Sequence, residues 1–473
     1  MTTADPRPAA PTSRLGHAPQ HGIQHRAPAS ARSPTGPAVV PPRGAGWMLS
    51  AALHGLFSFE ALFALFLYSN TLKYFFPKFP IDETVVLLSL CVIVFVALIW
   101  QHGLYRPGLS LVLASLTFFG WLTLSMLWSP GRTLALQAVG YNLTFNIFCL
   151  CVGALLLAGD PRRIRRFFTC VLAIGTILSV HGLWIYAQYG TFRFYRGFEG
   201  ILAYLLWGFP VATASAISLG FAFAAPPGTA RQLSGAILSV LFAVFLLIAS
   251  GRAPMLSYAL CLAVPIVLVA PRIVDNRLFV SRIQLMAGLA FLALIVYIGY
   301  ALYQGNVPYT IQRFLDLWGY IEYGGTAVRF QRLSYWMSAL EYWSRSPLIG
   351  IGIGGFSSLY LSGRELAGTQ PHNILLEILT ELGIVGLILF GLVLWVALRS
   401  VDIERLRRDP LFLGSFLMFV GLFGVRAMTS TDLAFQWELF VSLGLLTAAP
   451  AATSTAGQEQ WPTPSTGETI GRR

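Results

Sequence analysis

Ile374–Leu398 reads ILLEILTELGIVGLILFGLVLWVAL, and its only charged side chains are Glu377 and Glu381. At 1.5 Å rise per residue such a helix is roughly 37 Å long, more than the ~30 Å hydrocarbon core of a bilayer. Backbone groups in lipid must bond within their own segment, so the run is a helix and not a strand. Working outward, Val85–Trp100, Leu109–Trp128 and Leu233–Ala249 have the same character. Across 473 residues the chain is 56% hydrophobic and 11% charged, far more apolar than a soluble core requires. Its 45 glycines and 34 phenylalanines suit helices that pack through small residues and turn bulky ones to lipid. The expected fold is all-α, a polytopic transmembrane helical bundle.

The ~20-residue criterion gives about twelve spans. They lie near 48–69, 83–101, 109–128, 134–158, 167–189, 201–224, 232–249, 254–270, 283–304, 372–398, 411–428 and 435–450. Residues 1–46 and 451–473 are rich in small and polar residues and poor in large apolar ones, so they are expected to be disordered tails. Between them the organisation reads as helices one to nine over 47–304, a large outward loop with amphipathic helices over 305–371, and helices ten to twelve over 372–450.

The net charge of +12 does not indicate nucleic acid, because the basic residues sit mainly in short loops between spans. Arg162, Arg163, Arg165 and Arg166 mark one loop as cytoplasmic. Arg272, Arg277 and Arg282 mark a second, and Arg399, Arg405, Arg407 and Arg408 a third. These loops are separated by even numbers of spans, which puts both termini inside. The five cysteines fall in or near apolar runs and read as small buried hydrophobes, without disulfides or a metal.

Against that charge rule, Arg252, Arg329, Arg332 and Arg345 fall on the outer side. Cations placed there suggest an anionic ligand, and arginine grips phosphate through forked bonds while keeping its charge. Within AVRFQRLSYWMSALEYWSR (327–345), apolar residues recur at helical spacing and Arg329, Arg332 and Trp336 share one side. An amphipathic helix resting at the lipid interface accounts for this pattern, and it also presents guanidinium groups at headgroup depth. The glycine-rich run Ile349–Phe356 reads as a tight or re-entrant bend, or as backbone N–H groups offered to a pyrophosphate.

His372 stands at the outer start of the tenth span, where His372 or Asn373 caps the helix. Imidazole is also the side chain best matched to removing a proton near neutral pH. Glu377 and Glu381 lie one turn apart below it and need partners, for which Arg252 and Arg332 are candidates.

Taken in order, RLSYW (332–336), SPLIGIG (346–352), PHNILLE (371–377) and ELGIVG (381–386) resemble the O-antigen ligase and O-antigen polymerase superfamily, most closely over about 329–391. The resemblance implies an inverting, metal-independent glycosyltransferase of the GT-C type that needs no cofactor. Such enzymes take a glycan from undecaprenyl pyrophosphate and attach it to an acceptor hydroxyl, on lipid A core or another glycan, at the periplasmic face of the bacterial inner membrane. The resemblance implies His372 as the base, and Arg332 and Arg252 as pyrophosphate-binding groups. Arg329 is an alternative to Arg332, and Asn373 and Glu381 are supporting residues. Pro254, two residues after Arg252, departs from the commoner pattern.

A polymerase that joins lipid-linked repeat units would use the same donor. Two rivals use other features. Asp82-Glu83 resembles the acidic pair that binds metal in other GT-C families, although acids are favoured at a helix start in any case. A transporter or flippase would also need many spans, yet Glu60 is the main ionisable group placed inside one and no internal repeat is evident.

Overall fold

The structure is a computed structural model that describes residues 58–73, 81–189, 203–248, 251–268, 272–274, 277–279, 331–430 and 432–448, with a few single residues between 296 and 311. The two expected tails, most of the span at 283–304, much of the long loop and Arg329 lie outside the described residues.

Eight helices among the described residues are long and apolar enough to cross a membrane. They are Glu83–His102, Arg106–Trp128, Arg132–Leu157, Pro161–Gln188, Leu206–Ala224, Ala230–Ile248, Ile374–Leu398 and Pro410–Ala427. The described residues therefore do not supply the twelve spans that hydropathy suggests. The expected spans at 48–69, 254–270 and 435–450 overlap the shorter helices Phe59–Leu67, Arg252–Leu268 and Trp437–Leu445. The described residues are helical apart from loops and one antiparallel hairpin, Arg272–Val274 with Arg277–Phe279. Below, α1 denotes Phe59–Leu67, α2 Arg252–Leu268, α3 Gln331–Arg345, α4 Gly355–Tyr360, α5 Ile374–Leu398 and α6 Pro410–Gly421.

Phenylalanine fills much of the core. Phe63, Phe118, Phe119, Phe167, Phe390 and Phe440 are fully buried, and ring pairs such as Phe118–Phe390 (5.3 Å) and Phe119–Phe440 (5.2 Å) join helices distant in sequence. Outward-facing Trp100, Ile93, Leu113 and Ile388 remain exposed, as expected of lipid-facing positions.

Hydrogen bonds define the two ends of the bundle. At the basic end, Arg399 Nη2 donates to Ser110 Oγ (3.1 Å), Arg407 Nε to the Leu268 carbonyl (2.8 Å) and Arg405 Nη1 to the Ala448 carbonyl (2.5 Å). Glu60, at the start of α1, accepts from Arg163 at 3.0 Å and from Arg166 at 3.1 and 3.0 Å. The one carboxylate expected inside the first span is thus neutralised by the basic segment after Leu157.

The decisive departure from a plain bundle is in α5. Gly383 adopts φ 69°, ψ −169°, and interrupts the helix. Backbone groups freed by such a break must find partners in an apolar layer. The glycine-rich run supplies them. Ile351 N–H donates to the Thr380 carbonyl (3.0 Å) and Gly352 N–H to the Glu381 carbonyl (2.8 Å). In return Ile384 and Val385 N–H donate to the Pro347 and Leu348 carbonyls (2.9 and 3.2 Å). Trp121 Nε1 donates to the Leu382 carbonyl (3.0 Å) and Trp128 Nε1 to the Gly350 carbonyl (3.2 Å), clamping the join. A Cβ on Gly350 would lie 2.6 Å from the Gly383 nitrogen, so the two strands meet where side chains are absent.

Candidate active site at the end opposite the basic loops

α2 runs from Arg252 to Leu268, and Leu268 is bonded at the basic end, so Arg252 starts at the opposite end. The same reasoning places the start of α5, and with it His372, at that end, because Arg399 follows its far terminus.

His372 itself has φ 55°, a left-handed backbone that non-glycine residues rarely adopt. Strain of this kind costs on the order of 1–3 kcal/mol and persists only where the surroundings impose it. They do so from both sides. Asn373 Oδ1 accepts the Leu376 N–H (3.0 Å) and caps α5, which leaves His372 free of capping. Trp336 Nε1 donates to the Pro371 carbonyl (2.9 Å) and ties the preceding residue to α3.

α3 presents one face to this corner. The Tyr335 ring lies 6.0 Å from the His372 ring and also packs on Tyr360 (4.8 Å) and Phe356 (6.0 Å) of α4. Arg332 precedes Tyr335 and Trp336 by three and four residues, so it shares their face. Its charge is near enough to His372 to act on it. Burial, chiefly, and then the Arg332 charge hold the imidazole below the ordinary histidine value, while the facing Ser430 carbonyl favours the protonated ring. Arg332 remains exposed, whereas Arg345, at the other end of the helix, pairs with Glu341 (2.5 Å).

The glutamates do not pair with arginine as the sequence suggested. Glu377 accepts the Leu433 N–H through both oxygens (3.1 and 3.2 Å). Glu381 accepts the Gly354 and Phe356 N–H groups (2.8 and 3.1 Å). The physical reason is the glycine loop, whose turned backbone aims N–H groups at Glu381. Those N–H groups are therefore spent on α5, and the run is not a pyrophosphate cradle. Glu377, Glu381, Asp432, Gln137, Gln370 and Tyr141 help to line a cavity of about 180 Å³. Gln370 stands between that cavity and His372, its amide 3.4 Å from His372 Nδ1.

Sequence reasoning missed Gln370, Asp432, Ser430, Tyr335 and a buried ion pair, Arg426–Glu438 (2.7 Å). Arg426 also sits over the Phe209 ring (5.2 Å), next to Gly208, which packs against Pro254 of α2. The available signal was polarity: Thr429-Ser430-Thr431-Asp432 is a polar insert between apolar runs, and Gln370 is two residues from His372. Asp82, the rival acidic site, donates nothing to this corner. It caps its helix by accepting the Thr84 N–H (2.9 Å) and pairs with Lys73 (2.7 Å).

Residues 237–391 match the family model described as O-antigen ligase. The match supports a likeness to the O-antigen ligase superfamily over this segment. The matched O-antigen ligase segment holds Arg252, Arg332, His372, Asn373 and Glu381, whereas Asp432 lies beyond it. That family is one of glycosyltransferase-like, glycan-processing enzymes, and the eight long apolar helices among the described residues agree with a membrane protein. No individual curated protein matches it.

Proposed function

We propose that the protein transfers a glycan from undecaprenyl pyrophosphate to an acceptor hydroxyl at the periplasmic face of the bacterial inner membrane, both termini being cytoplasmic. The observation that supports this reading is that Arg332 lies near enough for its charge to act on His372, both within the segment similar to the O-antigen ligase family and at the end away from the basic loops. His372 accepts the proton of the acceptor hydroxyl as its oxygen forms a bond to the anomeric carbon. The bond from that carbon to the pyrophosphate oxygen breaks, and undecaprenyl pyrophosphate leaves with the electron pair. Attack opposite the leaving group inverts the anomeric centre.

Arg332 and Arg252, with Arg329 as the alternative to Arg332, neutralise the leaving pyrophosphate. Two guanidinium groups supply the charge that a divalent metal supplies elsewhere. A histidine held below its ordinary pKa is neutral at pH 7 and ready to act as a base. The cavity beside Gln370 offers carboxylate and amide groups suited to sugar hydroxyls.

The test uses the full chain in proteoliposomes with synthetic undecaprenyl-pyrophosphate oligosaccharide and rough lipopolysaccharide. Glycosylated lipopolysaccharide with release of undecaprenyl pyrophosphate supports a ligase. Lengthening of the lipid-linked glycan without the core acceptor supports the polymerase reading. Substrate counterflow with no covalent product would overturn both in favour of a transporter.

A further inference from the structure

Asp432 Oδ1 accepts the Phe435 N–H (3.2 Å) and so caps the short turn Leu433–Phe435. Its other oxygen faces Gln370. The Gln370 amide, turned so that its NH2 donates to Asp432 Oδ2 (2.8 Å), also accepts the Asp432 N–H (3.0 Å) through its oxygen. A carboxylate only accepts, so the amide has one satisfactory orientation. In that orientation the Gln370 oxygen, not its nitrogen, faces His372 Nδ1 across the 3.4 Å gap.

We propose that Asp432, acting through Gln370, is a positioning residue that sets the tautomer and aim of His372. The Gln370 oxygen calls for a proton on Nδ1, the Ser430 carbonyl also accepts from a ring N–H, and with the proton held on Nδ1 the Nε2 lone pair is left to take the acceptor proton. The contact is long for a hydrogen bond, and catalytic contacts commonly tighten only when substrate is bound. The left-handed backbone at His372 adds an independent reason to read the corner as imposed geometry. Other charged groups facing this pair are Arg332, on the His372 side, and Glu377 and Glu381, on the Asp432 side. This inference rests on the reading of His372 as the base.

Asp432→Asn separates the proposal from a purely structural cap. The new amide can still cap Phe435 through its oxygen, but its NH2 then faces Gln370. Gln370 then meets two donors, that NH2 and the backbone N–H of residue 432, so it loses its single satisfactory orientation and no longer holds the ring proton on Nδ1. The expected result is a kcat lower by about 10²- to 10⁴-fold with donor KM nearly unchanged. Gln370→Leu breaks the link without leaving a misoriented amide beside the ring, so its kcat falls by a smaller factor, about 10- to 100-fold.

Near wild-type kcat in both variants would overturn the proposal, as would losses confined to KM. Should Asp432→Asn not purify as a monodisperse protein, Gln370→Leu decides, since its half-buried side chain caps nothing. His372→Gln is the control for the parent reading. Full activity in that variant sinks the base assignment itself, whereas its inactivity beside normal Asp432→Asn and Gln370→Leu sinks only the positioning role.

Discussion

Trp336 donates its indole N–H to the Pro371 carbonyl at 2.9 Å, so the helix bearing Arg332 is bonded to the residue immediately before His372. The arginine and the imidazole therefore belong to one rigid corner although forty residues separate them in the chain.

Trp336→Phe keeps the ring and removes that donor. A hydrogen bond of this kind contributes about 1 kcal/mol net, which corresponds to roughly five-fold in rate if it is felt in the transition state. The expected outcome is a kcat several-fold lower in proteoliposomes, with the thermal midpoint little changed.

In the proposed reaction Arg332 acts on His372 by charge as well as on the donor. The proposed base works when neutral, and its pKa is held below the ordinary histidine value, so activity is full above that pKa and is lost as pH falls through it. Removing the neighbouring cation raises the pKa. Arg332→Gln is expected to lower kcat/KM by at least ~10²-fold and to move the acid limb to higher pH. Arg332→Lys keeps the charge but not the fork, so the limb should stay in place while donor KM rises. Identical pH profiles for the Gln variant and wild type would contradict the electrostatic coupling.

Buried Arg426 and Glu438 form a pair without an exposed counter-ion. Arg426→Leu or Glu438→Leu alone strands a charge and should cost about 3–5 kcal/mol, while the double replacement recovers most of it. Thermal midpoints of the three purified variants check this. Equal losses in single and double variants would show that the pair is not what holds the helices there.

Transfer should survive EDTA. Asp82 is already committed to Lys73 and to its helix cap, and His372 and Arg332 need no ion for the chemistry proposed. Loss of activity on chelation, restored by a divalent cation, would reverse that reading.

Gly383→Ala places a Cβ 2.6 Å from the Gly350 nitrogen on a backbone that L-residues avoid. The strain alone is about 1–3 kcal/mol. A lower thermal midpoint and reduced yield of folded protein from membranes are expected.

Much of the fold was legible because lipid leaves the backbone so few options. Hydropathy alone located the long spans, including Ile374–Leu398. It was blind to the interruption at Gly383, because a broken helix and a whole one have the same composition. In the candidate site, Arg332 and His372 were legible through charge placed against the topology rule and through family resemblance. Asp432 was not, since it reaches the corner through Gln370 from sixty residues further along, and nothing local in Ser430-Thr431-Asp432 announces that contact. The partners of Glu381 were hidden for a related reason: backbone N–H groups carry no signature in sequence, whereas arginines do.

The mutual bonding of Pro347–Gly352 with Thr380–Val385 bears on how this protein can be recombined with its relatives. A chimera that imports the segment carrying Ile349–Gly354 while keeping the native 380–385 would leave carbonyls and amides of one without the register of the other. Graft boundaries have to be drawn so that both stretches travel together, and a junction between residues 355 and 379 is the wrong place to cut.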